Sequence, residues 1–246
     1  MFKSWGQSDI GLLRDKNEDA FWCGGGDGWH LALVADGMGG HQAGEVASRL
    51  AVQVVTSLIQ ELACKSPVHV SWQEELVAAV KRANQEVFTV ARSDPRLAGM
   101  GTTLTVLLVQ GRRYVLAHVG DSRAYRLRQG KLEVLTEDHS LVQELVNQGS
   151  LDMADARVHP QRHVLTRALG TEPTLAVDGG SGTLLPGDAF LLCTDGLTNA
   201  VPDNEILSIL SQHTQPTAVE ELIRLANKRG GRDNITVVLL QAGEDC

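Results

Sequence analysis

Nowhere does this chain run apolar for the roughly 18 residues that suggest a membrane span. Its opening residues, Met1 to Gln7, lack the apolar stretch of a secretory signal. The expectation is a soluble cytoplasmic protein with no membrane partner. A basic surplus is missing too: 22 Lys and Arg stand against 30 Asp and Glu, a formal net charge of −8. Affinity for a phosphate backbone rests on clustered Lys and Arg, so no nucleic-acid partner is expected. The cysteines, Cys23, Cys64, Cys193 and Cys246, form no C-x-x-C pair and keep no regular spacing. Free thiols in a reducing compartment fit that pattern better than a disulfide frame or a zinc site. No internal repeat, low-complexity tract or Pro/Ser-rich linker divides the chain. Residues 1–246 are therefore expected to form one domain, with a monomer as the simplest state.

What is present is ordinary for a globular protein, 43% apolar and 21% charged. Strand-like apolar runs bounded by turn residues cover His30–Ala35, Thr103–Val109, Arg113–Val119, Ala124–Arg128, Ala189–Cys193 and Ile235–Gln241. Gln110-Gly111-Arg112 and Arg128-Gln129-Gly130-Lys131 read as hairpin links. Helical spacing appears in Ala43–Leu62, with Ala47, Leu50, Ala51, Val54, Leu58 and Leu62 on one face. Ser71 with Glu74 predicts a capping box ahead of a second helix burying Leu76, Val80, Ala83 and Val87. Ser140 with Gln143 starts a third helix that Gly149 ends. Thr217 with Glu220 starts a fourth, with Val219, Leu222, Ile223 and Ala226 inward and a stop near Gly230-Gly231. Hairpin-linked strands and amphipathic helix pairs predict an α+β layered fold.

The informative pattern is what adjoins the apolar runs. His30–Ala35 leads into Asp36-Gly37, Arg113–Val119 into Gly120-Asp121, and Ala189–Cys193 into Thr194-Asp195-Gly196. Arg232-Asp233-Asn234 precedes Ile235–Gln241. Antiparallel neighbours place the end of one strand beside the start of the next, so these carboxylates can share one rim of a sheet. Converging carboxylates repel unless a cation sits among them, and hard oxygen ligands suit Mg²⁺ or Mn²⁺. Asp-Gly also simply marks turns, and spacing alone does not separate the two readings.

A resemblance separates them. In chain order stand Gly11–Ala20 (GLLRDKNEDA), Val34–His41 (VADGMGGH), Gly101-Thr102-Thr103, Gly120–Tyr125 (GDSRAY), Thr136–Ser140 (TEDHS), Leu165–Gly170 (LTRALG), Thr194–Leu197 (TDGL) and Asp233–Thr236 (DNIT). Together they resemble the metal-dependent protein phosphatases of the 2C type, in their short bacterial form, over nearly the whole chain. The resemblance implies a four-layer α/β/β/α sandwich, two antiparallel sheets flanked by helix pairs. It implies hydrolysis of phosphoserine and phosphothreonine in proteins at a centre of two Mn²⁺ or Mg²⁺ ions, opposing a Ser/Thr kinase. Carried over by position, Asp36 bridges two ions, the Gly37 carbonyl binds one, and Asp195 with Asp233 bind the other. Glu18 and Asp19 orient metal-bound waters, and Asp121 serves a weaker third site with Asp195.

The chemistry asks for such residues. Phosphate monoesters hydrolyse extremely slowly in water, so a nucleophile and charge neutralisation must both be supplied. Paired cations supply both, which removes the need for a Cys or Ser nucleophile. Cys193, beside Thr194-Asp195, lacks the Cys-x5-Arg loop of a thiol phosphatase and reads as a buried strand residue. Arg14 is the expected phosphate clamp, its planar fork matching two phosphate oxygens. Eukaryotic members of the family carry His directly after the Asp-Gly pair, whereas this chain has Met38; His41 is the expected counterpart, as general acid or water orienter. His139 and His159 read as hydrogen-bonding loop residues, and Asp152–Arg162 as a flap beside the cleft. Two other functions fit the same fold: a catalytically weak phosphoprotein-binding regulator, or a hydrolase of small phosphate esters.

Overall fold

The computed structural model describes residues 2–39, 43–65 and 71–243. Among them, one antiparallel sheet comprises β1 (Phe2–Asp9), β11 (Ile235–Ala242), β10 (Ala189–Cys193), β7 (Arg123–Arg128) and β8 (Lys131–Val134), in that spatial order. The second runs β2 (Asp19–Gly26), β3 (Trp29–Met38), β5 (Leu104–Gln110), β6 (Arg113–Val119) and β9 (Asp178–Thr183). The two-residue β4 (Gly101–Thr102) extends the far end of β3.

Three apolar interfaces hold four layers together. Helices α1 (Ala43–Cys64) and α2 (Trp72–Ser93) cover the β3 sheet, burying Ala47, Ala51, Val55, Leu76 and Val80 against Leu31, Leu33, Val106 and Val119. Between the sheets, Ala32, Val34, Leu107 and Leu116 meet Phe190, Leu192, Val238 and Leu240. On the far side Leu191, Val237 and Leu239 pack under α6 (Asp203–Gln212) and α7 (Gln215–Lys228) through Ile206, Val219, Leu222 and Ala226. Alternate residues of one strand therefore enter different cores, which is why β3, β5 and β10 read as unbroken apolar runs. The four-layer α/β/β/α sandwich that the family resemblance implies is the architecture found.

Several local expectations change. The buried ridge of α1 is Ala43, Ala47, Ala51, Val55 and Ile59, a strict four-residue spacing, while Leu58 is exposed. Small alanines let the helix approach the sheet closely, and the larger residues Leu50 and Val54 flank that ridge partly buried. Ser71 is the N-cap of α2 but makes no side-chain capping bond. Helix α7 starts at Gln215 after Thr214, not at Thr217. Strands β1, β2 and β9 and helix α6 carry no sequence signal noted above. By contrast, Ser140 does cap α3 (Leu141–Asn147), accepting from the Gln143 N–H at 3.3 Å. The flap segment contains a short helix, α4 (Met153–Val158).

Candidate metal centre

Strand register makes the first pairing. In the β2–β3 hairpin Asp19 stands opposite Asp36. The Asp36 backbone is fixed on three sides: its N–H donates to Thr103 Oγ1, and its carbonyl accepts from the Thr103 N–H and Thr102 Oγ1, each at 2.9 Å. Next to it, Gly37 donates its N–H to the Glu18 carbonyl at 3.1 Å. A Cβ on Gly37 would overlap the carbonyl oxygens of Gly44 and Glu18, so only glycine lets the start of α1 approach here.

Asp195 opens the short helix α5 (Asp195–Thr198) where β10 ends. Its Oδ2 accepts from Asn199 Nδ2 at 2.9 Å and lies 4.0 Å from His163 Nδ1. Asp233, just before β11, forms an ion pair with Arg14 at 2.7 Å and caps the Asn234 N–H at 2.9 Å. Asn234 then pins the loop before β2, donating to the Ile10 and Lys16 carbonyls and accepting from the Glu18 N–H. Asp121 sits in the β6–β7 turn, beside Gly120, whose N–H donates to His139 Nδ1 at 3.0 Å.

These elements surround a cavity of about 790 Å³ lined by Arg14, Glu18, Asp36, Gly37, Asp121, Asp195 and Asp233. Asp19 lies behind that wall, where its Oδ2 accepts from Thr236 Oγ1 at 2.6 Å and Thr194 Oγ1 at 2.9 Å. Every sequence-expected site residue except one is thus placed in or directly behind a single cleft. The exception, His41, lies outside the described residues. Sequence reasoning passed over the groups that steady the carboxylates: Thr103, Thr194, Asn199, Asn234 and Thr236. All but Asn199 stand inside the quoted motifs, yet adjacency in sequence gives no direction to a hydroxyl. Arg162 and His163, at the end of the flap segment, also line the cavity.

The electrostatics are those of crowded, desolvated acids. Burial raises Asp19 to about 7, against the hydrogen bonds from Thr236 and Thr194 that pull it down. Burial, reinforced by Asp19 and Asp195, holds Asp36 well above the usual carboxylate range. Asp121 is likewise well above it, through burial and then Asp195. Asp195 is raised by burial and Asp233, with His163 and the hydrogen bond from Asn199 acting in the opposite sense. Burial also raises Glu18. Nucleophilic sulfur is not on offer: Cys193 is fully buried and its thiol is pushed up to about 12. His139 is buried and bonds Asp178 through Nε2 at 3.1 Å, the structural role expected of it.

A divalent cation fits this set. The donors are oxygens, as hard cations prefer, and among the described residues Asp19 Oδ1 and Asp195 Oδ1 are buried without any partner. Among the described residues no three His, Cys, Asp or Glu side chains form a direct cage around one point. Such a centre, lined by carboxylate oxygens and flanked by an arginine, defines the class of metal-dependent phosphoryl hydrolases.

Comparison with known proteins narrows the class. A family model described as Protein phosphatase 2C matches residues 14–239, and the chain belongs to that family. It is 40% identical over 241 residues to the serine/threonine phosphatase stp of Listeria monocytogenes, covering 96% of this chain and 94% of that protein. The crystal structure of the Mycobacterium tuberculosis serine/threonine phosphatase PstP/Ppp superposes with a TM-score of 0.90 at 38% identity, over 98% of this chain and 99% of that one. The catalytic domain of PstP in complex with two manganese ions gives a TM-score of 0.87 at 36% identity, over 98% and 97%.

Proposed function

We propose that this chain is a metal-dependent serine/threonine protein phosphatase working at a centre of two Mn²⁺ or Mg²⁺ ions. The observation that carries the reading is the convergence of Asp36, Asp121, Asp195 and Asp233 with Arg14 on one cavity. Asp36 and the Gly37 carbonyl would hold one ion, Asp36 with Asp195 and Asp233 the other, and Asp121 with Asp195 a weaker third. Bound cations supply a water that ionises near neutral pH and offset the charge of the phosphoryl group.

The protein's own groups do the positioning. Glu18 and Asp19 would orient water around the ions, and the threonine pair behind Asp19 holds that carboxylate in place. Arg14, tied to Asp233 through Nη2, has its other donors without a partner among the described residues and so keeps them for the phosphate oxygens. The half-exposed guanidinium leaves the mouth open to a side chain carried on a protein surface. Phosphate ester cleavage by water needs no covalent intermediate, which agrees with the inert Cys193. The leaving oxygen takes a proton from His41 or from water that His41 orients.

Phosphoproteins are then the substrates, and the opposing enzyme is a Ser/Thr kinase. Residues 1–246 act as one catalytic domain, a monomer in the cytoplasm; among the described residues no helix is long and apolar enough to cross a membrane. The test is phosphate release from phosphoserine and phosphothreonine peptides with and without Mn²⁺. Metal-dependent turnover is expected. Equal rates in a metal-free control, or binding without turnover, overturn the reading.

A further inference from the structure

A second cavity, of about 410 Å³, opens beside the metal cleft and shares Asp121, Arg162, Asp195, Asn199 and Ala200 with it. Its walls come from helices α3 and α4 on one side and from β8 and the α5–α6 turn on the other. Two large apolar side chains face it without joining any core: Val134 is 43% exposed and Met153 52%. Both border a cavity that shares part of its wall with the metal cleft.

Charge in this groove is uneven. Asp121 and Asp195 belong to the metal cleft as well, and Asp138 is neutralised by a two-pronged ion pair with Arg123 at 2.8 and 2.7 Å. Arg162 stands at the boundary between the cavities. That leaves Glu137 and Asp203, which line the groove but not the metal cleft. Glu137 Oε1 accepts from Asn147, and Asp203 Oδ1 accepts from Tyr125 Oη at 3.1 Å. Among the described residues the second oxygen of each carboxylate has no hydrogen-bond partner.

We infer that this groove seats the polypeptide flanking the phosphorylated residue and favours a basic side chain there. The inference rests on the phosphatase reading above and names the substrate class that reading leaves open. An Arg or Lys stem lies along Val134 and Met153 while its charged head meets Glu137 and Asp203. A volume of about 410 Å³ falls within the roughly 300–1,000 Å³ of pockets that grip a small ligand. Partial enclosure strengthens the attraction over that of an open surface pair, and an acidic flank is repelled by the same two groups.

The experiment compares kcat/KM with Mn²⁺ for three substrates: a phosphothreonine peptide with Arg and Leu flanks, the same peptide with Glu flanks, and a small aryl phosphate. The native chain is expected to prefer the basic peptide by about fivefold or more, the scale of one or two screened charge contacts. Glu137→Lys and Asp203→Asn are expected to erase that preference through KM, with aryl phosphate turnover unchanged. Turnover of all three substrates with equal kcat/KM for the two peptides overturns this inference alone. No metal-dependent turnover of any substrate overturns the phosphatase reading and this inference with it.

Discussion

Thr236 Oγ1 donates a 2.6 Å hydrogen bond to Asp19 Oδ2 across 217 residues of chain. The hydroxyl is held in turn: Ser8 Oγ lies 2.7 Å from Thr236 Oγ1 and itself accepts from Asn17 Nδ2 at 2.7 Å. Thr194 supplies the second bond to the same carboxylate oxygen and receives the Thr236 N–H at 3.0 Å. One oxygen of Asp19 is thus saturated by the sheet, and the other is left for the site.

Replacing Thr236 by Val tests that relay. Groups that orient residues around a metal typically change affinity or activity by roughly 10–100-fold when removed. Thr236→Val is expected to raise the Mn²⁺ concentration for half-maximal activity by about that factor. A titration of activity against Mn²⁺ checks it, with circular dichroism showing an unchanged fold.

Asp36→Ala and Asp233→Ala are each expected to lower phosphatase turnover by orders of magnitude while the fold persists. Without metal, Asp36→Asn should also stabilise the protein by roughly 0.5–2 kcal/mol, because it removes one member of a repelling cluster. Activity and metal-free melting temperature should therefore move in opposite directions. Near-native rates in either alanine variant contradict the site.

Metal itself is the next lever. A ligand at about a hundred times its Kd stabilises by about 2.7 kcal/mol. For a domain of this size that is a rise in Tm of roughly 5–10 °C. Differential scanning fluorimetry with Mn²⁺ reads it directly, and the Asp36→Asn variant is expected to show little or none of it.

Gly196 follows the ligand Asp195, and a Cβ there would overlap the Asn234 carbonyl oxygen. Gly196→Ala must push the Asp195 turn away from the Asp233–Asn234 segment. Overpacking of this kind costs about 1–3 kcal/mol. Denaturant unfolding should show that loss, and the Mn²⁺ requirement should rise with it.

His118 carries a pH signature of its own. It is buried and donates Nε2–H to the Glu137 carbonyl at 3.0 Å, and burial lowers it to about 4. An unfolded histidine binds a proton near pH 6.5 whereas the folded one does so only near 4, so the unfolded state gains protons first. The stabilisation is full above pH 6.5 and is lost as pH falls from there towards 4, on the order of 3 kcal/mol in all. Unfolding curves of the native chain and of His118→Gln over that range should differ in slope by this contribution.

Much of the fold was legible because strands buried on both faces must be apolar throughout. That constraint exposed β3, β5, β6, β10 and β11 directly. It was silent for β9, Asp178–Thr183, whose residues include three glycines and no large apolar side chain. This segment is a strand because β6 offers it a free backbone edge, a property of the partner and not of its own residues. The α1 face was misplaced for a related reason. Apolar residues occur on more than one side of that helix, and the sheet selects the small ones that allow close approach.

From the sequence alone came the oxygen-only ligand set, the acidic balance, the missing thiol loop and an order of motifs that resembles a single family. These are local facts, since each aspartate stands where its own strand begins or ends. Tertiary structure decided which oxygens meet and which stay unpaired, and which threonine hydroxyls and asparagine hold them. Convergence depends on strand register and on the packing of two sheets, and neither is written at any one position of the chain.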